Sequence, residues 1–208
     1  MTTLRELLAS KASIGDIAGY LDGLDAAARE AESLTLDGRE QAAIWERAAD
    51  GPVITIDHFV PKDVAPNVAV RHPGRNTIPV PRHYQLFAKV FSRDEKDPRL
   101  CNGYNDSNAW FIRPGYFVAY ETAGNSEWER RGGVVVDYLR VPDGNVPAGW
   151  PKVVPNQVGL QRLVYFRTRD FMRRVSAHMS IGRAAEQRDK GDRELDFWFT
   201  LCRRDASK

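Results

Sequence analysis

From Val53 onward the chain is a succession of short β-branched and aromatic runs, broken by turn residues, with no amphipathic helical stretch between them. The runs are Val53–Ile56, Tyr84–Ser92, Trp110–Arg113, Tyr116–Thr122, Val134–Val141, Leu160–Arg167, Val175–Ile181 and Leu195–Arg203. Pro114-Gly115, Asp143-Gly144 and Lys190-Gly191-Asp192 have turn chemistry. Parallel strands need long crossovers, usually helical, so this pattern points to an antiparallel sheet. About eight strands are enough for a sheet to curl or close into a barrel.

The first 50 residues have a different texture. Thr3 to Glu6 has capping-box form, Ser13 to Asp16 repeats it less well, and Ile17, Tyr20, Leu21 and Leu24 make one apolar helical stripe. Asp25 can cap a third segment reaching about Leu34, and Asp37 a fourth carrying Ile44 and Trp45. Asp50-Gly51-Pro52 ends it. The expected fold is α+β: N-terminal helices (residues 1–50) packed on a curved antiparallel β-sheet or small β-barrel of about eight strands (residues 51–208), in a single domain. At 208 residues, such a chain buries roughly 70% of its unfolded surface and needs no staple. Pro61–Pro81 with five prolines, and Pro142–Pro155 with four, are expected to be irregular loops or rigid crossovers.

Net charge is +2, which does not suggest nucleic acid or an anionic membrane. Its distribution is uneven. Residues 1–50 hold 5 basic and 10 acidic side chains, whereas 162–208 hold 12 basic and 7 acidic. An acidic front packed on a basic back accounts for this; a basic patch for an acidic partner is the sharper alternative. The basic–aromatic stretch Arg162–Val175 is equally well explained by strand alternation, so no nucleic-acid partner is expected. No apolar run reaches membrane-spanning length. Cys101 and Cys202, with no signal-peptide pattern ahead of them, fit free thiols in the cytoplasm.

Motifs exclude more than they assign. GxGxxG, GxxxxGK[ST], CxxC and HExxH are absent, so no redox cofactor, P-loop or local metal motif is expected. His178 to Gly182 resembles a nucleophile elbow without its first glycine, and no histidine follows Ser180. Asn102 to Asn108 lacks the glycine and terminal glutamate of a calcium loop and reads as a turn.

One acid stands out, in Gly132–Val141. Alternation puts Val135, Asp137, Leu139 and Val141 on one face. Apolar rows at Tyr84, Leu86, Ala88 and Val90, at Val175, Ala177, Met179 and Ile181, and at Leu195, Phe197, Phe199 and Leu201 are expected to share the core with it. A carboxylate in such surroundings has its pKa raised and can exchange protons near neutrality. Its alternatives are a partnered structural acid, a strand-end acceptor, or a bulged, solvated one.

The expected function is therefore cofactor-free acid–base chemistry (isomerisation, cyclisation, dehydration or hydrolysis) on a small, mostly apolar organic molecule in a barrel cavity. Asp137 is the expected acid or base, with His83 or Tyr84 polarising an oxygen. Arg71, His72 and Arg75 are candidate anchors for a carbonyl or carboxylate. Tyr104, Asn105 and Trp110 are candidates for a pocket rim, and His178 for a further contact. No metal site is expected. The rival functions are a small-ligand carrier or sensor using the same cavity, and a protein–protein module presenting the acidic helices.

Overall fold

The computed structural model describes residues 2–107, 114–159 and 161–204. The N-terminal quarter is helical because its sequence supplies good caps. Helix α1 (Leu4–Ala9), α2 (Ile14–Asp22) and α4 (Gly38–Arg47) each begin with a complete capping box, from Thr3/Glu6, Ser13/Asp16 and Asp37/Glu40. α3 (Ala26–Thr35) begins with the Asp25 carboxylate accepting from the Ala28 amide. Each such cap contributes about 1 kcal/mol. A 3-10 turn at Ala48–Asp50 then ends the helical region, as Asp50-Gly51-Pro52 requires.

The body is a closed barrel of eight antiparallel strands in simple chain order, with the first paired to the last. They are β1 (Val70–Asn76), β2 (Leu86–Arg93), β3 (Leu100–Ser107), β4 (Tyr116–Glu121), β5 (Val134–Asp137), β6 (Thr168–Arg174), β7 (Met179–Arg188) and β8 (Gly191–Cys202). The fold is thus α+β, with helices against an antiparallel barrel.

Several boundaries differ from the sequence expectation. The proline-rich RHPGRN and the turn-like NGYNDS are strands β1 and β3. Val53–Ile56 is not a strand but leads into the short helix α5 (Ile56–Phe59), and Tyr84 lies in α6 (Arg82–Gln85). Helix α7 (Ser126–Arg131) lies between β4 and β5, and Leu160–Arg167 instead contains the one-turn helix α8 (Arg162–Tyr165), with the strand starting after it. The Pro142–Pro155 segment is irregular. Trp110–Arg113 lies outside the described residues.

The barrel has two apolar faces, and this corrects the assignment of strand rows. Its lumen is lined by Val70, Phe91, Cys101, Phe117, Ala119, Val134, Val136, Met172, Phe199 and Leu201. Its outer wall, through Val135, Phe171, Val175, Met179 and Ile181, packs against Leu4, Ile17, Leu21, Ile44 and Trp45 of the helices. Each such large side chain taken from water contributes about 1.5–3 kcal/mol. Only Phe199 and Leu201 of the expected core rows face inward. Ala88 and Val90 alternate with inward Lys89 and Phe91 and so face out.

Side chains fill the lumen. Phe117 lies over Gly103 and Phe199 over Gly182, and a Cβ at either glycine would fall inside the neighbouring ring. At one end α5 inserts Phe59, which stacks on Phe91 with ring centroids 4.6 Å apart. The other end is closed by Tyr165 of α8, lying on Gly115 and stacked on Tyr138 at 5.1 Å.

Charge follows the packing. Arg204 forms a two-point pair with Glu30 of α3, and the Ala177 amide donates to Asp22. The acidic front does sit on the basic back. No helix among the described residues is long and apolar enough to cross a membrane.

Candidate active site

Lys89 is the most unusual side chain in the lumen. It follows Phe87 and precedes Phe91 at the same strand parity, so β2 directs all three inward. The Lys89 side chain is 1% exposed. Its Nζ donates to Asp170 Oδ2 at 2.9 Å, to Asn105 Oδ1 at 3.0 Å and to the Tyr138 hydroxyl. Strands β2 and β6 stand on opposite sides of the eight-strand ring, so the Lys89–Asp170 pair spans the lumen. Four ring faces surround the ammonium: Phe199 at 4.8 Å, Tyr138 at 4.9 Å, Phe117 at 5.2 Å and Phe87 at 5.8 Å. Each ring presents the negative face of its quadrupole to the cation.

The electrostatics follow from this enclosure. Burial lowers the Lys89 pKa, against the opposing pull of the Asp170 carboxylate. Burial also raises the Tyr138 hydroxyl well above its ordinary value, reinforced by Asp170, and pushes Tyr165 up to about 12. Asn105 is within hydrogen-bonding reach of both hydroxyls. The network is therefore lysine, carboxylate, amide and two phenols, almost sealed from water.

Asp137 is buried, at 2% exposure, but on the outer wall rather than in the lumen. Its register partners make the side plain, since Val136 beside it pairs with the inward Ala119 and Asp170. It accepts from the Tyr120 hydroxyl at 2.9 Å and the Leu139 amide at 3.0 Å. Arg169 approaches it at 3.4 Å, as an ion pair without hydrogen-bond alignment, and pairs at 2.7 Å with Asp192. Trp128 covers the Arg169 guanidinium at 4.9 Å. Asp137 thus ends β5 with a backbone amide, a phenol and a guanidinium around its carboxylate.

The other predicted residues are dispersed. Asn105 alone joins the lysine network. His72 is the register partner of Lys89, yet its ring turns to the opposite end, against Phe59 and Phe91. Its Nε2 bonds the Phe59 carbonyl at 2.9 Å, its Nδ1 has no partner, and burial lowers its pKa to about 3. Arg71 forms an exposed pair with Asp106 at 2.7 Å. Arg75 donates to the Thr35 carbonyl at 2.9 Å and to Gln85, fastening the end of α3 to β1. Tyr104 belongs to an outer aromatic group with Tyr116 and Trp150. His83 is exposed, its ring against that of Tyr84. His178 contacts Arg203 at 3.3 Å. Trp110 lies outside the described residues.

Lys89 was legible in the sequence by the same test that singled out Asp137: one charge in an apolar strand, FAKVF. Choosing the opposite parity for β2 hid it. Asp170 and Tyr138 gave no such signal, because only barrel closure brings them to Lys89.

A groove of about 490 Å³ lies on the outer wall, lined by residues including Trp45, Glu46, Glu127, Arg131, Arg173 and Arg183. Its charges alternate in sign and are largely spoken for: Arg183 pairs with Glu194, and Arg173 donates to three backbone carbonyls. Among the described residues no three His, Cys, Asp or Glu side chains converge as a metal site requires. Comparison of the chain with protein-family models, curated proteins and solved structures gives no match.

Proposed function

We propose that the protein is a small-molecule enzyme that transfers protons without a redox cofactor, and that Lys89, Asp170, Tyr138 and Asn105 form its reacting centre. The observation that carries this is a lysine 1% exposed, hydrogen-bonded to three partners inside an aromatic box. An ion pair in this position costs desolvation that an apolar filling would avoid. Buried titratable groups with a specific charged partner and a shifted pKa cluster at functional sites. Lys89 and Tyr138 share a hydrogen bond in which either can donate, so a proton has a path between them. Asp170 is the third stop on that path.

The substrate class follows from the walls. Phe87, Phe117 and Phe199 favour a small, mostly apolar molecule with one oxygen for Tyr138 or Asn105 to hold. Because the lumen is filled, substrate enters by taking the place of Tyr165, which a single helical turn carries. Asp137 then belongs to the wall. Cys101 and Cys202 are buried thiols, which fits a reducing cytoplasm.

The test is deuterium incorporation beside the carbonyl of small ketones and aldehydes in heavy water, followed by NMR, with thermal shift on the same compounds. The unaltered protein exchanges at least one class faster than Lys89→Met by about 10²–10⁴-fold, the range for a positioned acid or base. Asp137→Asn retains the exchange. Stabilisation by a compound without exchange marks the carrier reading instead. Equal exchange by Lys89→Met, with no compound stabilising the unaltered protein, sinks the proposal.

A further inference from the structure

We propose that Lys89 is a nucleophile that condenses with the carbonyl carbon of a small apolar aldehyde or ketone, forming an imine. This presupposes the reacting centre just described and gives its substrate class a covalent step. The geometry around Nζ carries it. Of the three partners, Asp170 Oδ2 and Asn105 Oδ1 can only accept, whereas the Tyr138 hydroxyl can accept or donate. The ammonium gives one hydrogen to each. Once one hydrogen has passed to Asp170, the free amine keeps two donations, to Asn105 and Tyr138, and takes the Asp170 acid hydrogen on its lone pair. Both protonation states are therefore fully hydrogen-bonded, which a purely structural lysine does not require.

The condensation balances within the network. Asp170 takes one proton from the ammonium. The amine lone pair then attacks the carbonyl carbon, the C–N bond forms, and the C=O π electrons go to oxygen. Tyr138 protonates that oxygen and recovers a proton from the attacking nitrogen. Asp170 returns its proton to the new hydroxyl, the C–O bond breaks, and water leaves. The product is a protonated imine beside an ionised Asp170, so the lumen holds the same charge at start and finish. The rings that face the ammonium at 4.8–5.8 Å would face the iminium in its place. Exclusion of water protects the C=N bond from hydrolysis.

The test is reductive trapping. The unaltered protein is incubated with acetone, cyclohexanone, propanal or benzaldehyde and sodium cyanoborohydride, and the adduct is located by peptide mass mapping. Lys89 is expected to be labelled at least about tenfold faster than the exposed Lys62 and Lys96, because burial favours its free amine. Asp170→Asn, which keeps the side-chain volume and removes the counter-charge, should move the pH midpoint of trapping downward; a structural lysine shows no such midpoint. Tyr165→Ala, which opens the end of the lumen, should speed labelling. Adducts on exposed lysines alone, in both the unaltered protein and Tyr165→Ala, overturn the proposal. If deuterium exchange persists without a Lys89 adduct, the imine step falls and the acid–base centre stands. If neither occurs, both fall.

Discussion

At the α5 end of the lumen the buried histidines are held neutral, and at the α8 end a buried lysine and carboxylate are held as an ion pair. His72 and His58 at the first end have their pKa values driven down by burial, and among the described residues no carboxylate opposes it. Both His58 ring nitrogens and His72 Nδ1 lack partners. Lys89 at the second end is just as deeply buried, but Asp170, Asn105 and Tyr138 complete its hydrogen bonds. Two solutions to the same desolvation problem thus sit in one barrel. The neutral end leaves donors and acceptors unpaired; the charged end satisfies every one and retains reactive groups.

The contrast breaks most sharply at Asp170. Asp170→Ala leaves an ammonium buried without its counter-charge and should cost about 3–5 kcal/mol in denaturant unfolding. The double change Lys89→Met with Asp170→Leu should recover most of that loss. Equal destabilisation by both would show that packing, not the unpaired charge, sets the cost.

Over the range down to pH 5 a smaller effect is expected from His58 at the neutral end, and it depends on pH. The folded state binds protons on His58 and His72 more weakly than the unfolded chain, so acid favours unfolding. Their contribution is complete above pH 6.5 and is lost as pH falls below it, for His72 down to about 3. The loss is on the order of 1 kcal/mol per pH unit for each histidine. His58→Leu should match or exceed the original stability at pH 7.5 and flatten the decline measured by thermal melts down to pH 5. An unchanged acid slope would clear His58 of any part in it.

The smallest effect belongs outside both ends. Arg71 and Asp106 form an exposed pair, each 45% accessible. Asp106→Ala should change stability by about 0–1 kcal/mol. A larger loss would mean that solvent screens this wall less than its exposure implies.

What could be read from the sequence was what local chemistry decides. Thr3/Glu6, Ser13/Asp16, Asp25 and Asp37 announced four helices because a cap needs only its own turn. The antiparallel body was legible from the spacing of apolar runs. β1 and β3 were not, because Pro73, Gly74, Asn102 and Gly103 are turn residues by local preference. They are strand residues here because neighbours on both sides supply the ladder and large rings need bare backbone to lie on. The lysine network was hidden for a related reason. Both barrel faces are apolar, one under the helices and one in the lumen, so alternation gives the period but not the side. Asp137 and Lys89 are each a single charge in an apolar strand, and only closure tells which one looks inward.

Gly103 under Phe117 and Gly182 under Phe199 also bear on how such a barrel can diverge. Ring and glycine share one volume across a strand pair, so neither position is free to vary alone. A lineage that gains a methyl group at the glycine must trim the ring opposite, and drift there proceeds by matched exchanges or halts.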